Sequence, residues 1–154
     1  SGTVGSATSW SPDFDAMEVL NSSPSSEVLE HYMDLVCRRL HPTPVGVSDS
    51  HSHRGGVGQA LTYVPLPIDN VGQLNNDHIR DAWRAGGTVP STGPQIEARV
   101  GGRWAPGQTF DGPTTVKLKI WAPDWMPIDE VNISQNMALD RKSTRLNSNN
   151  VVIS

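Results

Sequence analysis

The sequence predicts an α/β fold: a parallel strand–helix–strand unit followed by a small antiparallel β unit. Three observations carry this. Residues 14–20, Phe-Asp-Ala-Met-Glu-Val-Leu, form a short apolar run that reads as a buried strand. Val28, Leu29, Tyr32, Met33, Val36 and Leu40 then recur at three- and four-residue steps, the pattern of an amphipathic helix of about four turns. Beyond residue 95, apolar and polar residues alternate with a period of two, the pattern of strands with one wet face.

The elements follow in order. Asn21-Ser-Ser-Pro-Ser-Ser26 is a turn cluster in which Ser23 is placed to cap the helix and Pro24 to occupy its first position. His41-Pro42 ends the helix, because the residue before a proline avoids the helical region. Val45-Gly46-Val47 is a second short strand, which makes strand–helix–strand one parallel crossover. A stretch rich in glycine and proline follows, with a strand-like piece at Ala60–Val64. Asn76 or Asp77 caps a second helix containing Ile79, Ala82 and Trp83, closed by Gly86-Gly87. Ser91-Thr92-Gly93-Pro94 reads as a tight structural turn. Ile96, Ala98 and Val100, then Val116, Leu118 and Ile120, then Val131 and Ile133 mark the strands of the β unit.

Composition bounds the function. The chain has 154 residues, enough for one domain or two small ones, and a net charge of −4. That balance argues against nucleic acid as a partner, since such modules present a basic face. No apolar run approaches the ~18–20 residues of a membrane span. The opening SGTVGSATSW has neither a basic nor an apolar segment, so no export signal is visible; the compartment is left open between cytoplasm and exterior. The lone cysteine, Cys37, excludes an internal disulfide and reads as a buried thiol on the first helix. The oligomeric state is not legible.

Ser-Asp-Ser-His-Ser-His (48–53) follows the second strand, at the end of a parallel unit where chemistry gathers. Asp49 and His51 are two apart, so in extended backbone they point to one side. A carboxylate with an imidazole suits zinc, manganese or iron. His53 joins them if the extended run continues. Glu18 stands inside an apolar strand, where a buried carboxylate needs a partner or a cation; it is either a candidate for the same pocket or a side chain that faces solvent or pairs with an arginine. Arg54, before Gly55-Gly56, is placed to hold an anionic oxygen. Trp104, Trp121 and Trp125 offer either core packing or a stacking platform for sugars or bases.

These motifs in this order resemble a known family. Phe14–Asn21, then a helix, then Pro44-Val-Gly-Val-Ser-Asp-Ser-His51 is similar to the last part of a PHP domain, the polymerase-and-histidinol-phosphatase type of metallohydrolase. Ala82–Gly86, Ser91–Pro94, Val100-Gly101-Gly102 and Pro106-Gly107 resemble its CehA/McbA-like branch. The resemblance implies a C-terminal portion of a distorted (β/α)7 barrel over residues 1–75 and a helix with an appended β unit over 76–136. It implies divalent metal ions as cofactors, a small-molecule substrate, and hydrolysis of phosphoester, carbamate or amide bonds by metal-activated water. Asp49 and His51 match its final metal-binding motif, and Glu18 matches an acidic position of unassigned role. The family's earlier His-x-His ligands have no counterpart here, so this truncated chain is expected to be inactive alone. Residues 137–154 contain DRKSTRLNSNN, which resembles a translated sequencing adaptor and reads as a non-native tail. Two rival readings are a non-catalytic module whose β unit binds carbohydrate or a partner, and a degenerate barrel that serves structure.

Overall fold

A computed structural model describes residues 13–135, 138–148 and 150–153, with side chains over 13–134. The opening ten residues, on which the export-signal reading rests, lie outside the described residues.

The parallel crossover is present. Strand β1 (Ala16–Asn21) leads through a two-residue bridge, β2 (Ser23–Pro24), into helix α1 (Ser26–Cys37), and the chain returns as β3 (Thr43–Val47). β1 and β3 pair in parallel, with Ala16 opposite Thr43 and Asn21 opposite Val47. A register shift between Glu18 and Leu20 bulges β1. The bulge breaks the face alternation, which is why Leu20 is buried while Glu18, two residues earlier, is exposed.

The helix starts later and stops earlier than expected. Ser25, not Ser23, caps it, with its side chain accepting from the Val28 N–H. Ser23 and Pro24 instead lie antiparallel to Leu20 and Asn21. Arg39 takes a left-handed φ of 64° and ends the helix before His41. Leu35 is its buried residue, whereas Leu29 is 51% exposed. Cys37 is exposed, against the expectation. It stands two positions beyond Leu35, about 200° around the helix and away from the sheet.

After β3 the fold turns antiparallel. β4 (Leu61–Tyr63) and β5 (Val89–Ser91) pair as a two-stranded ribbon beside β3, enclosing a single 3-10 turn at Val71–Gln73 and helix α2 (Asn76–Arg84). Asn75 caps α2, accepting from the His78 N–H, one residue before the expected cap. Ser91 shapes the next turn: its hydroxyl accepts from the Gly93 N–H and donates to the Pro94 carbonyl at 2.5 Å. β6 (Gln95–Val100), β7 (Arg103–Trp104), β8 (Lys117–Trp121), β9 (Ile128–Gln135), β10 (Ala138–Ser148) and β11 (Asn150–Ile153) complete the chain. They form a four-stranded antiparallel sheet, ordered β11-β8-β6-β7, and a β9-β10 hairpin. Ile120 and Ile128 join the two, with Ile96, Ala122 and Val131 packed around them.

The barrel portion is therefore corrected. One parallel pair exists among the described residues, and every other pairing is antiparallel. A barrel needs each strand flanked on both sides, and β3 has a strand ladder on one side only. The backbone groups on its far edge go elsewhere. The Thr62 hydroxyl accepts from the Gly46 N–H and donates to the Gly46 carbonyl, both at 2.9 Å. Thr88 donates to the Pro44 carbonyl at 2.6 Å, and Pro44 has no N–H to satisfy.

Two predictions follow from this packing. An added Cβ at Gly46 would meet the Leu61 carbonyl oxygen at 2.6 Å. Gly46→Ala should cost about 2 kcal/mol or more in denaturant unfolding, through overpacking against backbone. Burial raises the Tyr32 hydroxyl above its ordinary 10.0, so its folded pKa exceeds the unfolded one. The neutral ring's contribution is fully present below the unfolded value and disappears as pH rises through the folded one. Tyr32→Phe should therefore flatten the alkaline decline in stability above pH 10.0 and leave neutral stability nearly unchanged.

Candidate functional site

The Ser-Asp-Ser-His loop leaves the C-terminal end of β3, beside the same end of β1. Ser22 secures the junction: its N–H donates to the Val47 carbonyl at 2.9 Å and its hydroxyl to the Ser48 carbonyl at 2.6 Å. Asp49 has a φ of 47°, a left-handed conformation that aspartate tolerates better than most residues. The backbone is thus not extended here, and the period-two argument for alignment does not hold.

Asp49 and His51 meet by another route. The His51 ring folds back so that Nδ1 lies 2.7 Å from the Asp49 carbonyl oxygen. That oxygen only accepts, so Nδ1 carries a proton, and in the neutral ring Nε2 is then the nitrogen that holds the lone pair. Nε2 lies 3.6 Å from Asp49 Oδ1. Two ligand atoms at 2.0–2.2 Å from a tetrahedral ion sit roughly 3.4 Å apart, so the pair fits as two ligands of one metal. Both side chains are open to solvent, Asp49 at 54% and His51 at 82%.

Glu18 lines a depression of about 510 Å³ together with Asp49, Asn21, Ser23 and Ser25. Its carboxylate accepts from the Asn21 side-chain amide. Of the two placements open to it, inside the strand pair or facing solvent, Glu18 takes the exposed one, because the β1 bulge turns it outward. His53 and Arg54 are exposed in the following turn, where Gly55 N–H donates to the Ser52 carbonyl at 3.2 Å. That turn ends the alternation and separates His53 from the Asp49–His51 pair. Among the described residues, no three His, Cys, Asp or Glu side chains gather closely enough to hold an ion. A catalytic zinc takes three protein ligands, so the pair fits a metal but does not complete its site.

The tryptophans divide. Trp104 is half-buried and donates from Nε1 to the Gly87 carbonyl at 2.9 Å, so it packs. Trp121 is 37% and Trp125 76% exposed.

Sequence reasoning missed a second feature. In β8, Leu118 and Ile120 turn inward while Lys117, Lys119 and Trp121 are exposed. Across the ladder, Arg99 stands opposite Lys117, Glu97 opposite Lys119, and Gln95 opposite Trp121, so all six share one face. A depression of about 520 Å³ there is lined by Arg99, Lys117, Lys119 and Glu97. A second, of about 550 Å³, is lined by Tyr63, Pro65, Pro67 and Trp104, and Arg99 borders both. The signal was available in the sequence: the wet face of β8 carries charge of one sign.

No helix among the described residues is long and apolar enough to cross a membrane. Compared with protein-family models, curated proteins and solved structures, the chain matches none.

The geometry of His51 is directly measurable. Long-range proton–nitrogen NMR at neutral pH should find the neutral ring protonated on Nδ1, with Nε2 as the bare nitrogen; the opposite tautomer would remove the basis of the pair.

Proposed function

We propose that the chain contributes Asp49 and His51 to the divalent-metal centre of a hydrolase. The observation that supports this reading is the chelating geometry of the pair, 3.6 Å between Asp49 Oδ1 and His51 Nε2, at the C-terminal end of a parallel strand. The resemblance of residues 44–51 to the last metal-binding motif of PHP-type hydrolases points the same way.

A bound zinc, manganese or iron ion supplies Lewis acidity and an activated water at neutral pH. The chain's own residues do the rest. Asp49 brings a negative charge and a hard oxygen donor. Its backbone carbonyl fixes the His51 tautomer, so one residue both donates a ligand and orients its neighbour's. Glu18 adds a second carboxylate to the wall of the adjoining depression. Arg54, exposed in the next turn, is available for an anionic substrate oxygen such as that of a phosphoester. With two donors the chain alone binds metal weakly and turns over no substrate.

Titration calorimetry with zinc or manganese tests this on the chain as it is. One weakly bound ion per chain is expected, with affinity falling by roughly tenfold or more in Asp49→Ala and in His51→Ala. Wild-type metal binding in both variants would refute the assignment. So would turnover of a simple phosphoester that neither variant loses.

A further inference from the structure

We infer that the exposed face of the four-stranded sheet binds an acidic oligosaccharide, its carboxylates on Lys117 and Lys119 and a sugar ring on Trp121. This site is separate from the Asp49–His51 pair and does not rest on it.

The charge on this face favours an anion. The chain carries −4 overall, yet this face gathers Arg99, Lys117 and Lys119 against a single carboxylate, Glu97. Glu97 is already committed to the Nε of Arg99, and Arg99 Nη1 donates to the Gly102 carbonyl at 2.8 Å. Neither lysine has an ion-pair partner within 4.0 Å among the described residues. An uncompensated cationic row on an acidic protein attracts an anion specifically to that row.

The spacing of the charges favours an extended ligand. Lys117, Lys119 and Trp121 follow each other at two-residue intervals, so they stand about 6.6 Å apart along the strand. Their backbone positions are spread along the strand rather than gathered around one point, and the guanidinium fork of Arg99 is engaged by Glu97 and Gly102. Converging donors or a free fork recognise a compact phosphate. A row of single charges suits a chain bearing one carboxylate per unit.

The row ends on an aromatic side chain. Trp121 is 37% exposed, and Gln95 stands directly opposite, with an amide that both donates and accepts. An apolar ring face beside an amide fits the C–H face and hydroxyls of a sugar. The cleft lined by Tyr63, Pro65, Pro67 and Trp104 extends the surface past Arg99 and gives room for a ligand longer than one ring. A nucleic acid would need successive stacking platforms and a face basic throughout. One exposed tryptophan on this face and an acidic remainder disfavour it.

Tryptophan fluorescence and calorimetric titrations of the whole chain with trigalacturonate, its neutral methyl ester and oligothymidine test the inference. At low salt, trigalacturonate should bind about five- to tenfold tighter than the ester, the scale of two exposed ion pairs. Added salt should erase that preference. Lys117→Ala/Lys119→Ala should abolish the preference while leaving ester binding intact, and Lys119→Arg should keep it. Trp121→Ala should weaken both trimers. Should the double variant fail to fold, Lys119→Gln carries the same readout. Equal affinity for the acid and the ester, no binding of either, or tighter binding of oligothymidine would each overturn the inference.

Discussion

The far edge of β3 is the constraint on which the rest of the structure depends. Every backbone group on that edge is satisfied by a threonine hydroxyl rather than by a neighbouring strand: Gly46 by Thr62, and Pro44 by Thr88. A buried amide or carbonyl left unpaired would cost as much as a lost hydrogen bond, so this accounting must close. It closes only because Pro44 lacks an N–H and Gly46 lacks a side chain. The absence of a Cβ at Gly46 lets the backbone of Leu61 approach. A third hydroxyl, on Thr43, donates to the Trp83 carbonyl at 2.7 Å and ties the end of α2 to the same strand. Thr43 and Thr88 are both only 2% exposed. The parallel sheet therefore ends at β3, and the chain continues as antiparallel ribbons.

That termination also places chemistry. β3 runs out beside the end of β1, and the Ser22 contacts hold the two ends together. The loop beyond them is free to turn at Asp49, whose left-handed backbone lets the imidazole of His51 reach back to it. The same β1 bulge that exposes Glu18 brings it to the wall that Asp49 lines. A bulge thus brings Glu18 to the wall that Asp49 lines, and a left-handed residue with a returning ring joins His51 to Asp49, without the three side chains gathering at one point.

The β unit obeys a different logic. Its inner face is a small core around Ile120 and Ile128, and its other face segregates positive charge. Segments 138–148 and 150–153 enter as β10 and β11, pairing with β9 and β8. The β10 ladder shifts register twice. Strand pairing is made by backbone groups, so an open edge accepts a segment largely irrespective of its side chains.

The sequence by itself determined the local elements. Helical periodicity located α1, and period-two alternation located β6, β8 and β9, because burial on one face imposes its period on the chain; β1 and β3 showed as short apolar runs. The Asp49-x-His51 spacing singled out the pair, but the extended backbone on which that spacing relies is replaced by a left-handed residue at Asp49. Tertiary structure decided the rest. Whether a parallel pair grows into a barrel depends on what satisfies the far edge of β3, and the answering hydroxyls, Thr62 and Thr88, lie 16 and 44 residues away from their partners. The exposure of Cys37 and Glu18 depended on which side of a helix met the sheet and where a strand bulged. The cationic face depended on the β6–β8 register, which sets Arg99 and Glu97 opposite Lys117 and Lys119. A local pattern reports which side of an element is wet; only long-range pairing reports what that side faces.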